Sequence, residues 1–335
     1  MSPNSMKAVW YRATGPAREV LRYGDVEAPG PGRGEVRVRV AASGVNPSDT
    51  KKRGGWLGMQ MGHARVIPHS DGAGTVDAVG EGVDPGRVGE RVWVWNAQGG
   101  SRPFGTAAER VTVPAGQAAR LPDGVPWSVG AGLGVPGCTA HYAVLGDGPV
   151  EGKRVLVQGG AGAVGHMAVQ IAALSGAEVI ATVSGAAKRE VAVGGGARHV
   201  VNYRREDVAA RVRDLTGGEG VDRVIEVDLA ANIETDVEVL RPHGTIASYS
   251  STSGPELPLA YYPLAFKDLR IHFVQGYLLP PAARQAAIRD LTAWLSAGQL
   301  DVRVAEVFPL SETVAAHELL ESGRADGKVV VAVGQ

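Results

Sequence analysis

The sequence predicts an α/β protein in which a doubly wound parallel sheet follows an all-β, barrel-like unit, and three observations carry that expectation. Up to about Val125 the chain is a series of short β-type runs cut by glycine and proline. From Trp127 strand-like and helix-like stretches alternate, which argues for a parallel sheet covered on both faces. From Val302 the tail reads strand, helix, strand, and could return to complete the first unit.

The elements follow in order. Alternation typical of a strand begins at Met6, so the residues before it are expected to be a disordered lead-in. EVRVRVAAS, GAGTVDAVG, ERVWVW and AERVTV read as strands, and EVRVRV alternates with the period of two expected when one face is buried. APGPGRGE and GVDPGRVGE supply turns. A helical stretch, SVGAGLGVPGCTAHYAVL, leads to a strand at 154–158, a glycine turn and a helix to about Ser175. Strands are expected at 178–183, 199–203, 223–227, 245–250 and 270–278, with helices near 186–194, 205–216, 231–240 and 284–297. The expected domains are 1–127 with 300–335, and 128–299.

Composition narrows the function. The 335 residues carry 34 basic and 35 acidic side chains, so neither a nucleic-acid nor an anionic-membrane surface is expected. One cysteine, Cys138, excludes an internal disulfide and suits a reducing compartment. No apolar run approaches the roughly 20 residues that span a bilayer, and no export signal is visible at the start. A soluble cytoplasmic protein is the expectation.

The stretch VLVQGGAGAVGHMAVQ (155–170) contains Gly160-Ala-Gly162-Ala163-Val164-Gly165, a G-x-G-x-x-G that leaves a β run and opens a helix. In this Rossmann context the first glycine permits the tight turn, the second lets a pyrophosphate approach the backbone, and the third lets helix and strand pack closely. Helix N-terminal N–H groups then meet the phosphate charge. NAD binders place a carboxylate about 20 residues on, to hold the ribose 2′-hydroxyl. Here the next strand ends at Ser184-Gly185, no carboxylate appears before Glu190, and Lys188 and Arg189 precede it. That pattern favours NADPH, because Lys or Arg can pair with a 2′-phosphate.

Hydrolytic chemistry is set aside. There is no H-E-x-x-H and no G-x-S-x-G, and Ser48-x-x-Lys51 lacks the S-D-N and K-T-G that would accompany an acyl-enzyme serine.

With these pieces in place, the chain from Met6 onward resembles the medium-chain dehydrogenase/reductase superfamily, and within it the zinc-free zeta-crystallin or NADPH:quinone oxidoreductase branch. AASGVNPSDTKKRGG, VIPHSDGAGTVDAVGEGV, RVWVW, TAHYAVL, the glycine turn and ARHVVNYRRED carry the likeness. The resemblance implies a GroES-like β-barrel catalytic domain beside the Rossmann domain. Zinc-dependent members have a cysteine in G-x-C-x-x-D and a histidine in G-H-E. Here Asn46 and Ser70 stand in those places, with His69 one position away, so no metal is expected.

The resemblance also implies site residues. Asn46 would line the cleft beside the nicotinamide and hydrogen-bond an acceptor oxygen, or else serve as a turn residue before Pro47. Thr139 would contact the nicotinamide end. Ser184, Lys188 and Tyr203 would hold the 2′-phosphate, and Tyr249, Ser250, Phe273 and Val274 would flank the nicotinamide ribose and carboxamide. Some relatives carry a tyrosine five residues after the asparagine. Lys51 stands there instead, either polarising an acceptor or pointing to solvent, which leaves proton delivery to water.

Without a Lewis acid, a conjugated acceptor is easier to reduce than a simple ketone, because its π system spreads the negative charge. The expected function is NADPH-dependent reduction of a small quinone or enone. The alternatives are reduction of a C=C bond, as in alkenal or enoyl reductases, and a crystallin-like nucleotide binder with little catalysis. The apolar run RIHFVQGYL at a sheet edge invites pairing with a second copy, so a homodimer is expected.

Overall fold

The computed structural model describes residues 5–99 and 102–334. Its first elements are β1 (Ser5–Trp10), α1 (Ala17–Val20), β2 (Arg22–Glu27), β3 (Glu35–Val45), α2 (Pro47–Gly54), β4 (Asp71–Val79), β5 (Arg91–Val94), β6 (Arg110–Pro114) and β7 (Ala118–Arg120). The alternating stretch gives α3 (Trp127–Leu145), β8 (Arg154–Val157), α4 (Ala163–Leu174), β9 (Glu178–Val183), α5 (Ala186–Gly194), β10 (His199–Asn202), α6 (Val208–Leu215) and β11 (Val221–Glu226). It continues with α7 (Leu229–Val239), β12 (Leu240–Ser248), α8 (Tyr261–Ala265) and β13 (Arg270–Phe273). The elements after it are α9 (Pro281–Ser296), β14 (Val304–Pro309), α10 (Thr313–Glu321) and β15 (Lys328–Ala332). The lead-in expected before Met6 falls on residues 1–4, outside the described residues, and Ser5 already opens β1.

Two compact units result, one of Met1–Val135 with Asp290–Gln335 and one of Pro136–Arg289. Both edges fall inside helices, α3 and α9, whereas the sequence places its boundaries at 127/128 and 299/300.

In the first unit, a sheet of order β14-β15-β3-β4-β5-β7 has β6 on β3, and the β1–β2 pair lies apart. The alternation in EVRVRV is realised physically. Val36, Val38 and Val40 enter a core with Val76, Val92, Val94, Val111 and Val113, while the intervening arginines stay outside it. The tail returns to this unit, because β15 pairs antiparallel with β3 and parallel with β14.

In the second unit, six parallel strands run in the order β10-β9-β8-β11-β12-β13, the doubly wound arrangement. The order reverses between β8 and β11. β8, β9 and β11 are buried along nearly their whole length, as parallel strands covered on both faces should be. Leu156, Ile180, Val201, Val224 and Ile246 form the core from neighbouring strands.

One expected element is corrected. RIHFVQGYL is not a single long strand, since β13 ends at Phe273. Val274 still donates its N–H to Ser248 O (2.7 Å), but Gln275-Gly276 then turns the chain, with Leu278 N bonding Gln275 O (2.9 Å). The turn at Gly276-Tyr277 is a break that apolar content alone concealed. No helix among the described residues is long and apolar enough to cross a membrane.

Candidate functional site

In the second unit, the fingerprint glycines divide by role. A Cβ on Gly160 would lie 2.7 Å from Ala181 Cβ, and one on Gly165 would lie 2.2 Å from Gly159 O. These two are bare so that helix and strand can touch. Gly162, the N-cap of α4, is different: a Cβ there would meet nothing nearer than 3.5 Å. Gly162 is exposed and Ala163 and Val164 are half-buried, while the rest of α4 up to Ala172 is buried. The first helical turn has no acidic side chain, so its N–H groups and partial positive charge face outward unopposed. This cradle of open backbone fits a dinucleotide diphosphate.

The turn is held from below by a network the sequence did not announce. Gly159 N donates to Thr182 Oγ1 (3.0 Å), Thr182 Oγ1 donates to Gln158 Oε1 (2.8 Å), and Gln158 Nε2 donates to Asp236 Oδ1 (2.9 Å). The Glu226 carboxyl lies beside Asp236. Burial pushes both carboxyls up, Asp236 the further, and the neighbouring Glu226 charge adds to its shift. Glu226 accepts from Asn232 Nδ2 (3.0 Å) and from Asp228 N.

Of the other expected cofactor residues, all but Thr139 follow the C-terminal ends of the parallel strands, the side on which such sheets bind ligands. Tyr203 N bonds Val183 O (3.1 Å), which sets Tyr203 beside the end of β9, where Ser184 follows. Lys188 is half-buried in the first turns of α5, and Tyr203 is 50% exposed. Ser248 and Phe273 are register partners, which brings Tyr249 and Ser250 alongside Phe273 and Val274. Tyr249 N bonds Glu226 O (3.0 Å), and burial together with the Glu226 charge raises its phenol. Val274 is buried and Phe273 exposed. Thr139 is buried in α3, three residues past Pro136.

In the first unit, Asn46 is the N-cap of α2, and its N–H is held by Asp49 Oδ2 (2.8 Å). Its amide is committed on both sides. Oδ1 accepts from Lys328 Nζ (2.6 Å), and Nδ2 donates to Asp71 Oδ2 (2.7 Å). Lys328 Nζ and Asp71 Oδ2 lie 2.9 Å apart, with the two side chains 3% and 0% exposed. Asp71 Oδ1 also accepts from Val135 N (2.8 Å). Burial pushes the Asp71 carboxyl up, and the ammonium and these N–H donors pull it back.

Lys51 does not join this cluster. Its ammonium stands over the Trp56 ring, 4.6 Å from the centroid, a cation–π contact. His69 is buried and paired with Ser43 and His317. Lys328 and His317 went unnoticed in the sequence because a lysine opening an apolar run and a histidine in a helical tail resemble ordinary surface residues. Only Asp71, beside Ser70 in the quoted motif, gave a local signal.

Comparison with known proteins gives a consistent picture. Residues 32–123 match the family described as the alcohol dehydrogenase GroES-like domain, and residues 195–331 match that described as zinc-binding dehydrogenase. A 2-haloacrylate reductase of a Burkholderia species is 32% identical over 97% of this chain and 98% of its own length. A quinone oxidoreductase of Pseudomonas aeruginosa is 31% identical over 93% and 95%. The crystal structure of Escherichia coli quinone oxidoreductase complexed with NADPH superposes with a TM-score of 0.85 at 28% identity, covering 98% of this chain and all of that one. Zinc does not suit the residues present. Asn46 and Ser70 take the ligand positions, an ammonium already binds the asparagine, and no group of three or more His, Cys, Asp or Glu among the described residues could hold a metal.

Proposed function

The chain belongs to the medium-chain dehydrogenase/reductase superfamily, in its zinc-free quinone oxidoreductase branch, and from that premise we propose that it is a zinc-independent reductase that uses NADPH to reduce quinones or related conjugated carbonyls. The observation that carries the reading is the open backbone at Gly162, flanked by two glycines whose bareness is demanded by packing.

Gly160, Gly162, Ala163, Val164 and Gly165 receive the diphosphate, and Ser184, Lys188 and Tyr203 receive the 2′-phosphate. Thr139, Tyr249, Ser250, Phe273 and Val274 form the nicotinamide end. NADPH held there would supply a hydride from its dihydronicotinamide. A quinone would take up that hydride and one proton from water, and leave as the hydroquinone. Asn46 donates a hydrogen bond to the acceptor oxygen as its charge develops. Lys51, held against Trp56, adds positive charge near α2 without a direct part in the step.

The support for NADPH over NADH is Lys188 together with the lack of a carboxylate where β9 ends. Consumption of NADPH, followed by absorbance with a naphthoquinone, tests the reading; no turnover across a panel of quinones and enones would refute it. Reduction of a C=C bond stays as the second reading, favoured by the relative named for acting on a 2-haloacrylate. A saturated product separates the two.

A homodimer through β13 and a cytoplasmic location complete the proposal. β13 is the edge of its sheet, and Phe273, Leu278, Tyr262 and Phe266 are strongly exposed beside or beyond it in sequence. A monomeric mass by light scattering at micromolar concentration would exclude the dimer.

A further inference from the structure

We infer that the cavity at the N-terminal ends of β8, β11, β12 and β13 is a second binding site, made for a small polyanion that carries phosphate or carboxylate groups. It lies at the opposite end of the strands from the glycine turn, so its ligand is distinct from the nucleotide proposed above.

The site begins with strand register. Arg223 on β11 is register partner to Thr245 on β12, and Thr245 is register partner to Arg270 on β13. Val155 on β8 continues this row, and Lys153 lies two residues before it. Partners in register present their side chains on one face of a sheet. Adjacent strands therefore bring two arginines and a hydroxyl together, with a lysine at the end of the row. The cavity they line with Asp147, Asp222 and Arg241 has a volume of about 300 Å³, within the range of small-molecule sites.

The charges do not balance. Lys153, Arg223, Arg241 and Arg270 face two carboxylates, and both of those are engaged within the protein. Asp222 pairs with Arg241 through one oxygen and accepts from Arg154 N (2.8 Å) through the other. Asp147 Oδ2 lies 2.8 Å from His272 Nδ1. Arg223 is buried, and its guanidinium donates to the carbonyls of Val144, Asp147 (2.8 Å) and Gly148 (3.2 Å) around the end of α3. Lys267 serves the end of α7 in the same way, donating to Val237 O, Glu238 O and Leu240 O. Those helix ends thus have their cations already, and the task does not explain Lys153 and Arg270. Neither of these two has an ion pair or side-chain hydrogen bond among the described residues.

Thr245 separates a binding site from a charged surface. It is 6% exposed, yet its hydroxyl has no hydrogen bond among the described residues. Burying a hydroxyl without a partner costs free energy. This one stands in the cavity wall between Arg223 and Arg270. An oxyanion in the cavity would accept from the Thr245 hydroxyl and make charge-assisted bonds to Lys153 and Arg270. The chain as a whole carries a net charge of -1, so a general attraction for anions does not supply this affinity.

Isothermal titration calorimetry with pyrophosphate and with citrate, at constant ionic strength and with NADP⁺ saturating the protein, tests the site. The nucleotide keeps the probes off the glycine turn. One probe or both should bind saturably and raise the melting temperature by several degrees at about 100 times Kd. Pyrophosphate alone would mark a phosphate ligand and citrate alone a carboxylate one, and either bears the inference out. K153A/R270A should melt like the parent, because neither side chain leaves a partner stranded, and should bind at least about tenfold more weakly. Thr245→Val, which keeps the shape and removes the hydroxyl, should also weaken binding, by about tenfold. Thr245→Ser keeps the hydroxyl and should bind like the parent, which controls for altered packing. NADPH affinity should be unchanged in all three.

Binding of neither probe overturns the inference, as does binding that the variants leave intact. Binding that K153A/R270A weakens and Thr245→Val does not would also overturn it, reducing the cavity to a patch of surface charge.

Discussion

The Nε2 atoms of His69 and His317 lie 2.8 Å apart, and the protons of this pair are determined by a chain that starts elsewhere. Thr106 Oγ1 donates to the Asp71 carbonyl, which can only accept. Its single hydrogen spent, Thr106 accepts from Ser43 Oγ (2.7 Å), and Ser43 in turn accepts from His69 Nδ1 (2.8 Å). His69 Nε2 then carries the lone pair and His317 Nε2 carries the hydrogen. His317 Nδ1 is left as a buried lone pair with no partner among the described residues. Both rings are neutral.

Acid sensitivity follows. Burial and the Lys328 charge depress His69 to about 3, and burial, His69 and Arg53 hold His317 well below its usual value. In the unfolded chain each would protonate near about 6.5. A depressed folded value means stability that is present above about pH 6.5 and lost as pH falls, for His69 toward about 3 and by up to about 1.4 kcal/mol per pH unit. Urea midpoints between pH 7 and pH 4 should therefore fall steeply. His69→Asn, whose side chain tolerates the positive φ of 78° at this position, should flatten that slope. An unchanged slope would mean the rings are not buried neutral.

The glycine turn separates packing from binding. Gly165→Ala places a methyl against Gly159 O and should lower the melting temperature by several degrees. Gly162→Ala meets only Gly159 O, at an ordinary contact distance of 3.5 Å, so it should melt like the parent and bind NADPH about tenfold more weakly, because the methyl stands where phosphate approaches. Fluorescence titration alongside a thermal melt distinguishes the two; equal NADPH affinity in the Gly162 variant would place the diphosphate elsewhere.

Lys188→Ala should raise KM for NADPH by about tenfold and leave KM for NADH unchanged, since only the former carries the extra phosphate that a lysine can pair with. Equal effects on both nucleotides would assign Lys188 to the surface of α5 instead.

The raised Asp236 carboxyl predicts how stability responds as pH rises. Asp236 is raised well above its usual value, so its contribution is present below the unfolded value of about 3.9 and is lost as pH rises through the folded one. Asp236→Asn keeps an oxygen for Gln158 and offers N–H to Glu226, mimicking the protonated acid. Its melting temperature should decline less than the parent's as pH is raised. A steeper decline would show that Asp236 is ionised in the folded state.

The sequence by itself determined what depends on near neighbours in the chain. A period of two put Val36, Val38 and Val40 inside, and four βα repeats in series were enough to specify a parallel sheet. The G-x-G-x-x-G between β8 and α4 marked the nucleotide site, and Asn46 and Ser70 argued against zinc, because each of those signals lies within a few residues. The same local view overextended β13, since an apolar run reads as a strand until the turn at Gly276 is seen in space. Tertiary structure alone decided who faces whom. Lys328 reaches Asn46 across 282 positions, His317 reaches His69 across 248, and Asp236 reaches Gln158 across 78. Those meetings depend on strand register, where a shift of one residue turns every side chain to the opposite face, and on burial, which makes an unpaired charge intolerable. Neither register nor burial is written in any short stretch of the chain.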